Sequence, residues 1–100
     1  MNDNIIETPA IGEILKEEFL DPLHISAYKL AKDIHVSTST ILDILHNKRK
    51  ISVEMALRLA KYFGTSSKFW LNLQNEIDLR NVQQKLKNEL DSIPSHSKIA

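Results

Sequence analysis

The chain of 100 residues has no cysteine, which excludes disulfides, thiolate metal sites and cysteine nucleophiles. It has no apolar run near the roughly 18 residues a membrane span needs, and its acidic N-terminus lacks a signal-peptide pattern. A soluble cytoplasmic protein is the expectation. Glycine is scarce, with two in the whole sequence. His24, His35 and Asn47 stand at connections where glycine would be unsurprising, and both residue types are enriched at positive φ. The four histidines, His24, His35, His46 and His96, form no i, i+4 pair and have no close carboxylate. No metal site, cofactor or catalytic centre is expected, since no nucleophile, base and orienting group can be assembled from the residues present.

Net charge is also lacking, at +0, whereas most nucleic-acid-binding domains are basic. The distribution is uneven. Residues 1–25 hold one Lys against six acids, while residues 26–61 hold seven Lys/Arg against three acids. The positive region coincides with the segment from Ala27 to His46, which divides into two short helical patterns around a break. Leu30, Ala31 and Ile34 belong to the first, Ile41, Ile44 and Leu45 to the second, with Val36 between them and Ser37 as N-cap. A small Ala31 lets the two helices approach closely. This is the plan of a helix-turn-helix, whose second helix enters a DNA major groove.

Read as a wheel at about 100° per residue, the second helix turns Ile41, Ile44 and Leu45 inward. Ser39, Asp43 and His46, flanked by Thr38 and Leu42, form the candidate groove face. Ser39 and Thr38 suit bases or phosphates at a helix N-terminus, Asp43 a cytosine amino group, and Leu42 a thymine methyl. Two other roles stay open: Leu42 packed on a neighbouring helix, and Asp43 paired with a nearby cation. Asn47 reads as the end of this helix, and Lys48, Arg49 and Lys50 as phosphate contacts that anchor it. Ser26 and Lys29, at the start of the preceding helix, complete the candidate DNA-binding set.

Around this unit, residues 1–7 are expected to be a flexible arm. Thr8-Pro9 signals a first helix carrying Ile11, Ile14, Leu15 and Phe19, ending near Leu20 before Asp21-Pro22. Leu23 and Ile25 are expected to close the core beneath the next connection. Ser26, Ser52 and Ser66 are read as N-caps, Val53, Ala56, Leu57, Leu59 and Ala60 as an inner face, and Gly64 as a helix stop. If the last helix runs on to about Leu90, it carries Phe69, Trp70, Leu73 and Ile77 on one side. Leu71, Leu79, Val82, Leu86 and Leu90 then fall on the other, a surplus stripe that implies a dimer or partner interface. The alternative is a bend near residues 75–81 that folds the distal half back. One domain over 8–91 and a disordered tail over 92–100 are expected.

The chain resembles the HigA antitoxins, the virulence-associated-protein-I group of the lambda-repressor-like (XRE) helix-turn-helix class. The matching segments are Gly12-Glu13-Ile14-Leu15-Lys16-Glu17-Glu18-Phe19, Leu30-Ala31-Lys32, Ala56-Leu57-Arg58-Leu59-Ala60, and Phe69-Trp70-Leu71-Asn72-Leu73-Gln74 followed by Asp78-Leu79. His24, His35 and Asn47 depart from it, since glycine is frequent there in the family pattern. The resemblance implies an all-α, five-helix domain that dimerises, binds palindromic operator DNA in its own promoter, and neutralises a HigB-like toxin of the RelE-like, mRNA-cleaving class. A stand-alone XRE-type regulator without a toxin is the alternative. A pure protein-interaction module is a third reading, kept open by the neutral net charge, Leu42 and Asp43.

Overall fold

Four serines set the helix starts in this chain. In the computed structural model, which describes residues 9–96, the hydroxyl oxygens of Ser26, Ser37, Ser52 and Ser66 accept the backbone N–H of Lys29, Thr40, Met55 and Phe69 at 3.0–3.1 Å. Each satisfies a donor that the first helical turn leaves without a partner. The helices that follow are α2 (Ala27–Ile34), α3 (Thr38–Leu45), α4 (Val53–Phe63) and α5 (Ser67–Lys85), preceded by α1 (residues 11–23) and followed by α6 (Lys87–Asp91). No strand occurs among the described residues. Thr8 and the arm over 1–7 lie outside them, as do residues 97–100 of the tail.

Helix α1 differs from expectation at both ends. Pro9 precedes it, Ala10 is its N-cap, and the Glu13 carboxylate accepts the Ala10 N–H at 3.0 Å. At the other end it does not stop at Leu20. It opens as Ile11–Ile14, widens to π-helical turns over Leu15–Leu20 and closes as Asp21–Leu23. In the widened turn the Asp21 N–H bonds back to the Lys16 carbonyl, five residues away. That relieves the clash the Pro22 ring would make with the carbonyl four residues before it in a regular helix. The extra residues carry Leu23 past the edge of the core, so Leu23 is exposed, while Ile25 packs against the core as expected.

Helix-to-helix connections turn on left-handed residues. His24, His35 and Asn47 adopt φ of 56°, 65° and 62°, and Gly64 of 74°. Three sharp reversals are thus made without glycine.

The core is continuous across the helices. Leu15, Leu30, Ile41, Ile44, Leu59 and Trp70 are its largest fully buried side chains, each stabilising the fold by about 1.5–3 kcal/mol. Ala31 is buried between helices and Ile51 seals the loop after α3. Trp70 centres an aromatic group with ring centroids 4.8 Å from Phe19, 5.0 Å from Phe69 and 6.2 Å from Phe63. Its indole N–H donates to the Thr65 hydroxyl at 2.8 Å. On α4 the buried face is Met55, Ala56 and Leu59. Val53 and Leu57, expected inside, point to solvent.

Helix α5 runs unbroken through residues 75–81, so its distal half does not fold back. It ends at Lys85, earlier than the continuous helix to Leu90, because Leu86 leaves helical geometry (φ −100°, ψ 11°) and α6 begins afresh. Trp70, Gln74 and Ile77 face inward. Among the surplus stripe, Leu71 is half-buried against the core. Leu79, Val82, Leu86 and Leu90 are uncovered, with 40–54% of their surface exposed. No helix among the described residues is long and apolar enough to cross a membrane.

Candidate nucleic-acid interface

Two buried isoleucines hold α3 in place and determine what it shows to solvent. Ile41 and Ile44 are fully buried, which leaves the opposite edge outward. Ser39, Leu42 and His46 are exposed there, and Thr38 and Asp43 are partly so. At the N-terminus of α3 the Ser37 hydroxyl lies 2.8 Å from the Thr40 hydroxyl and 3.2 Å from that of Ser39. Ser39 therefore sits in a small hydroxyl cluster at the N-terminus of α3, the end of a helix that favours an anion.

The exit from α3 carries the cations. The Lys48 N–H closes the helix on the Asp43 carbonyl at 2.7 Å, and Asn47 supplies the left-handed turn. Arg49 reaches back to the Asp43 carboxylate at 3.6 Å, so Asp43 is paired with a cation and still stands on the outward edge. Lys50 is drawn the other way, to Asp78 on α5 at 3.2 Å. Lys48 is exposed and has no ion-pair partner among the described residues. Of the three cations, Lys48 is the one available to a phosphate with nothing to give up.

Ser26 and Lys29 are already engaged within the chain. The Ser26 oxygen caps α2, and the Lys29 ammonium lies 2.9 Å from Asp33. Asp33 also accepts from the Tyr62 hydroxyl at 2.7 Å. Hydrogen bonds from Lys29 and then Tyr62 hold the Asp33 carboxyl below its ordinary range, and the same contact with Asp33 raises Tyr62. Beside this patch, Arg58 donates to the Ile34 carbonyl at 2.7 Å, placing a cation on the negative end of α2. Together these contacts brace α2 against α4.

Four residues that hold α3 and its exit in place are not apparent from residue type alone. Gly12 and the Asn47 side chain tie α1 to the end of α3 through a 3.1 Å hydrogen bond. Gln74 and Asp78 tie the loop after α3 to α5. Their signal in the sequence is faint: Gly12 stands inside a helix, and Gln74 lies four residues after Trp70 and three before Ile77, on the side those two turn inward. Among the described residues no group of three or more His, Cys, Asp or Glu could hold a metal.

Comparison with known proteins matches this geometry. A family model described as helix-turn-helix covers residues 15–70. Virulence-associated protein I of Dichelobacter nodosus is 49% identical over 80 residues, covering 78% of this chain and 74% of that one. A Haemophilus influenzae protein named as an uncharacterized HTH-type transcriptional regulator is 42% identical over 93 residues, 87% of each chain. The solved structure of the Pseudomonas aeruginosa antitoxin HigA with the higBA promoter superposes with a TM-score of 0.84 at 39% identity, covering 89% of this chain and 98% of that one. The chain belongs to the HigA antitoxin family. HigA proteins are helix-turn-helix antitoxins and regulators that bind DNA, not enzymes. The helix-turn-helix model stops at Trp70, so the uncovered leucines of α5 and α6 lie beyond the segment it matches.

Proposed function

We propose that the protein is the antitoxin of a type II toxin–antitoxin module and the repressor of its own operon. In this reading two copies meet along Leu79, Val82, Leu86 and Leu90. Their α3 helices enter successive major grooves of a palindromic operator about 34–36 Å apart. Ser39, Leu42 and Asp43 read base edges, and Thr38, His46, Lys48, Arg49 and Lys50 contact the backbone, with Ser26 and Lys29 at the flank of α2. The partner toxin is HigB-like, an mRNA-cleaving enzyme of the RelE-like class, and the module works in the cytoplasm.

The outward Ser39–Asp43 edge of α3 is the observation that carries this reading, because Ile41 and Ile44 occupy the core and leave that edge open. It is supported by likeness to a HigA protein solved with its promoter. Selecting bound duplexes from a random DNA pool tests it: a two-fold repeat with the stated centre spacing should emerge. Co-expression with the product of the adjoining reading frame should give a stable complex and relieve that product's toxicity. The Haemophilus influenzae relative named as a transcriptional regulator favours a second reading, a stand-alone regulator. Recovery of an operator without any co-purifying toxin would establish that one.

A further inference from the structure

Gln74 is the one buried polar side chain among the described residues, and both ends of its amide are used. Its oxygen accepts the Ile51 N–H at 3.0 Å, and its nitrogen donates to Asp78 Oδ1 at 3.2 Å, one turn further along α5. Asp78 Oδ2 accepts in turn from the Lys50 ammonium at 3.2 Å. Two consecutive loop residues, Lys50 and Ile51, are thereby fastened to α5 at two points. On the other side of the same loop, Asn47 holds the Gly12 N–H.

A buried backbone N–H needs an acceptor, and one acceptor would satisfy Ile51. The arrangement does more than that. It engages the whole amide and a carboxylate on the two residues that lead out of α3, and Leu79 follows Asp78 directly on the exposed face of α5. One short stretch of helix therefore touches the recognition unit on one side and begins the uncovered apolar stripe on the other.

We infer that Gln74, acting with Asp78, is a positioning residue. It fixes the angle between α3 and the α5 stripe, and so the separation at which two recognition helices can enter one DNA duplex. This rests on the dimeric-repressor reading above. A one-base-pair insertion moves a half-site by about 3.4 Å and about one-tenth of a turn, which a rigid pair of α3 helices cannot follow.

The experiment measures affinity for selected half-sites placed at the native spacing and at one base pair more or less. Wild-type protein should lose about tenfold or more at the altered spacings, comparable to a mismatched base pair. Gln74→Met, which keeps side-chain length and removes both hydrogen bonds, should cut that penalty to about threefold or less at fixed salt. Asp78→Ala, a change at a half-buried position that keeps the Ile51 contact, should cut it by a smaller amount. Thermal melts establish that each variant is folded. Should Gln74→Met not fold, Asp78→Ala decides alone. A folded variant that binds more weakly at every spacing but keeps the wild-type penalty makes Gln74 merely structural and overturns the inference. Wild type that binds single half-sites without any spacing preference overturns the dimeric reading itself.

Discussion

The backbone N–H of Gly12 donates to the side-chain oxygen of Asn47 at 3.1 Å, joining the first turn of α1 to the left-handed residue of the turn after α3. The contact is possible because Gly12 has no side chain. A Cβ there would run into the carbonyl oxygens of Leu45 and Ile44, which are backbone and cannot swing aside.

Gly12→Ala is therefore expected to destabilise the protein even though alanine is the better helix former. The propensity gain is about 1 kcal/mol, whereas the overlap costs about 1–3 kcal/mol or more and weakens the bond to Asn47. Urea denaturation should show a lower midpoint with an unchanged slope. A midpoint equal to wild type would mean that α1 can move away from α3 freely.

Trp70→Ala should cost about 3–5 kcal/mol, because the ring is fully buried among Phe19, Phe63 and Phe69. Trp70→Phe should cost less, losing the Thr65 bond and part of the packing. Calorimetric melting that ranks wild type, Phe and Ala in that order would support this; equal losses would place the energy in the indole N–H.

Acid stability should depend on Asp33. Its carboxyl is held below the ordinary 3.8 by hydrogen bonds from Lys29 and Tyr62, so the folded state binds the proton less readily than the unfolded one. That contribution is present above the ordinary value and disappears as pH falls through the lowered one. Asp33→Asn should thus be less stable than wild type at neutral pH, with the difference closing below about pH 4. Tyr62 works at the other extreme: its proton is held above 10.0, and its contribution fades as pH rises through that raised value. Parallel melting curves for wild type and Asp33→Asn across pH 2–7 would refute the assignment.

Lys48→Ala should weaken DNA binding about equally on all sequences and reduce the slope of log affinity against log salt by about 0.9. Lys50→Ala should change that slope less, because its ammonium is already paired with Asp78. Asp43→Ala is expected to alter which base is preferred and to release Arg49. Gel shifts at several salt concentrations separate the cases. Identical slopes for wild type and Lys48→Ala would remove Lys48 from the interface.

Much of this architecture was legible because its signals are local. A serine hydroxyl one residue before an apolar-periodic run marks a cap, and all four such serines act as one. Scarce glycine made His24, His35 and Asn47 readable as left-handed turns. The outward edge of α3 followed from the spacing of Ile41 and Ile44. The remainder depends on partners distant in the chain. Pro22 is a stop signal unless a π turn makes room for it, and nothing in residues 15–20 announces that turn. Gln74 has no evident role in the sequence until Ile51, 23 positions earlier, is laid against it. Val53 and Leu57 obey the helical period, but α4 turns Met55 inward instead. Leu86 breaks the last helix without glycine or proline.

The unbroken run of α5 has a mechanical meaning. Its 19 residues form a rod about 28 Å long, clenched near its root by Trp70, Gln74 and Ile77 and free toward its tip. Such a rod is a lever, and a tilt of about 5° at the root sweeps the tip through about 2 Å. A load on the outer leucines is therefore borne at the root, where Gln74 meets the loop after α3.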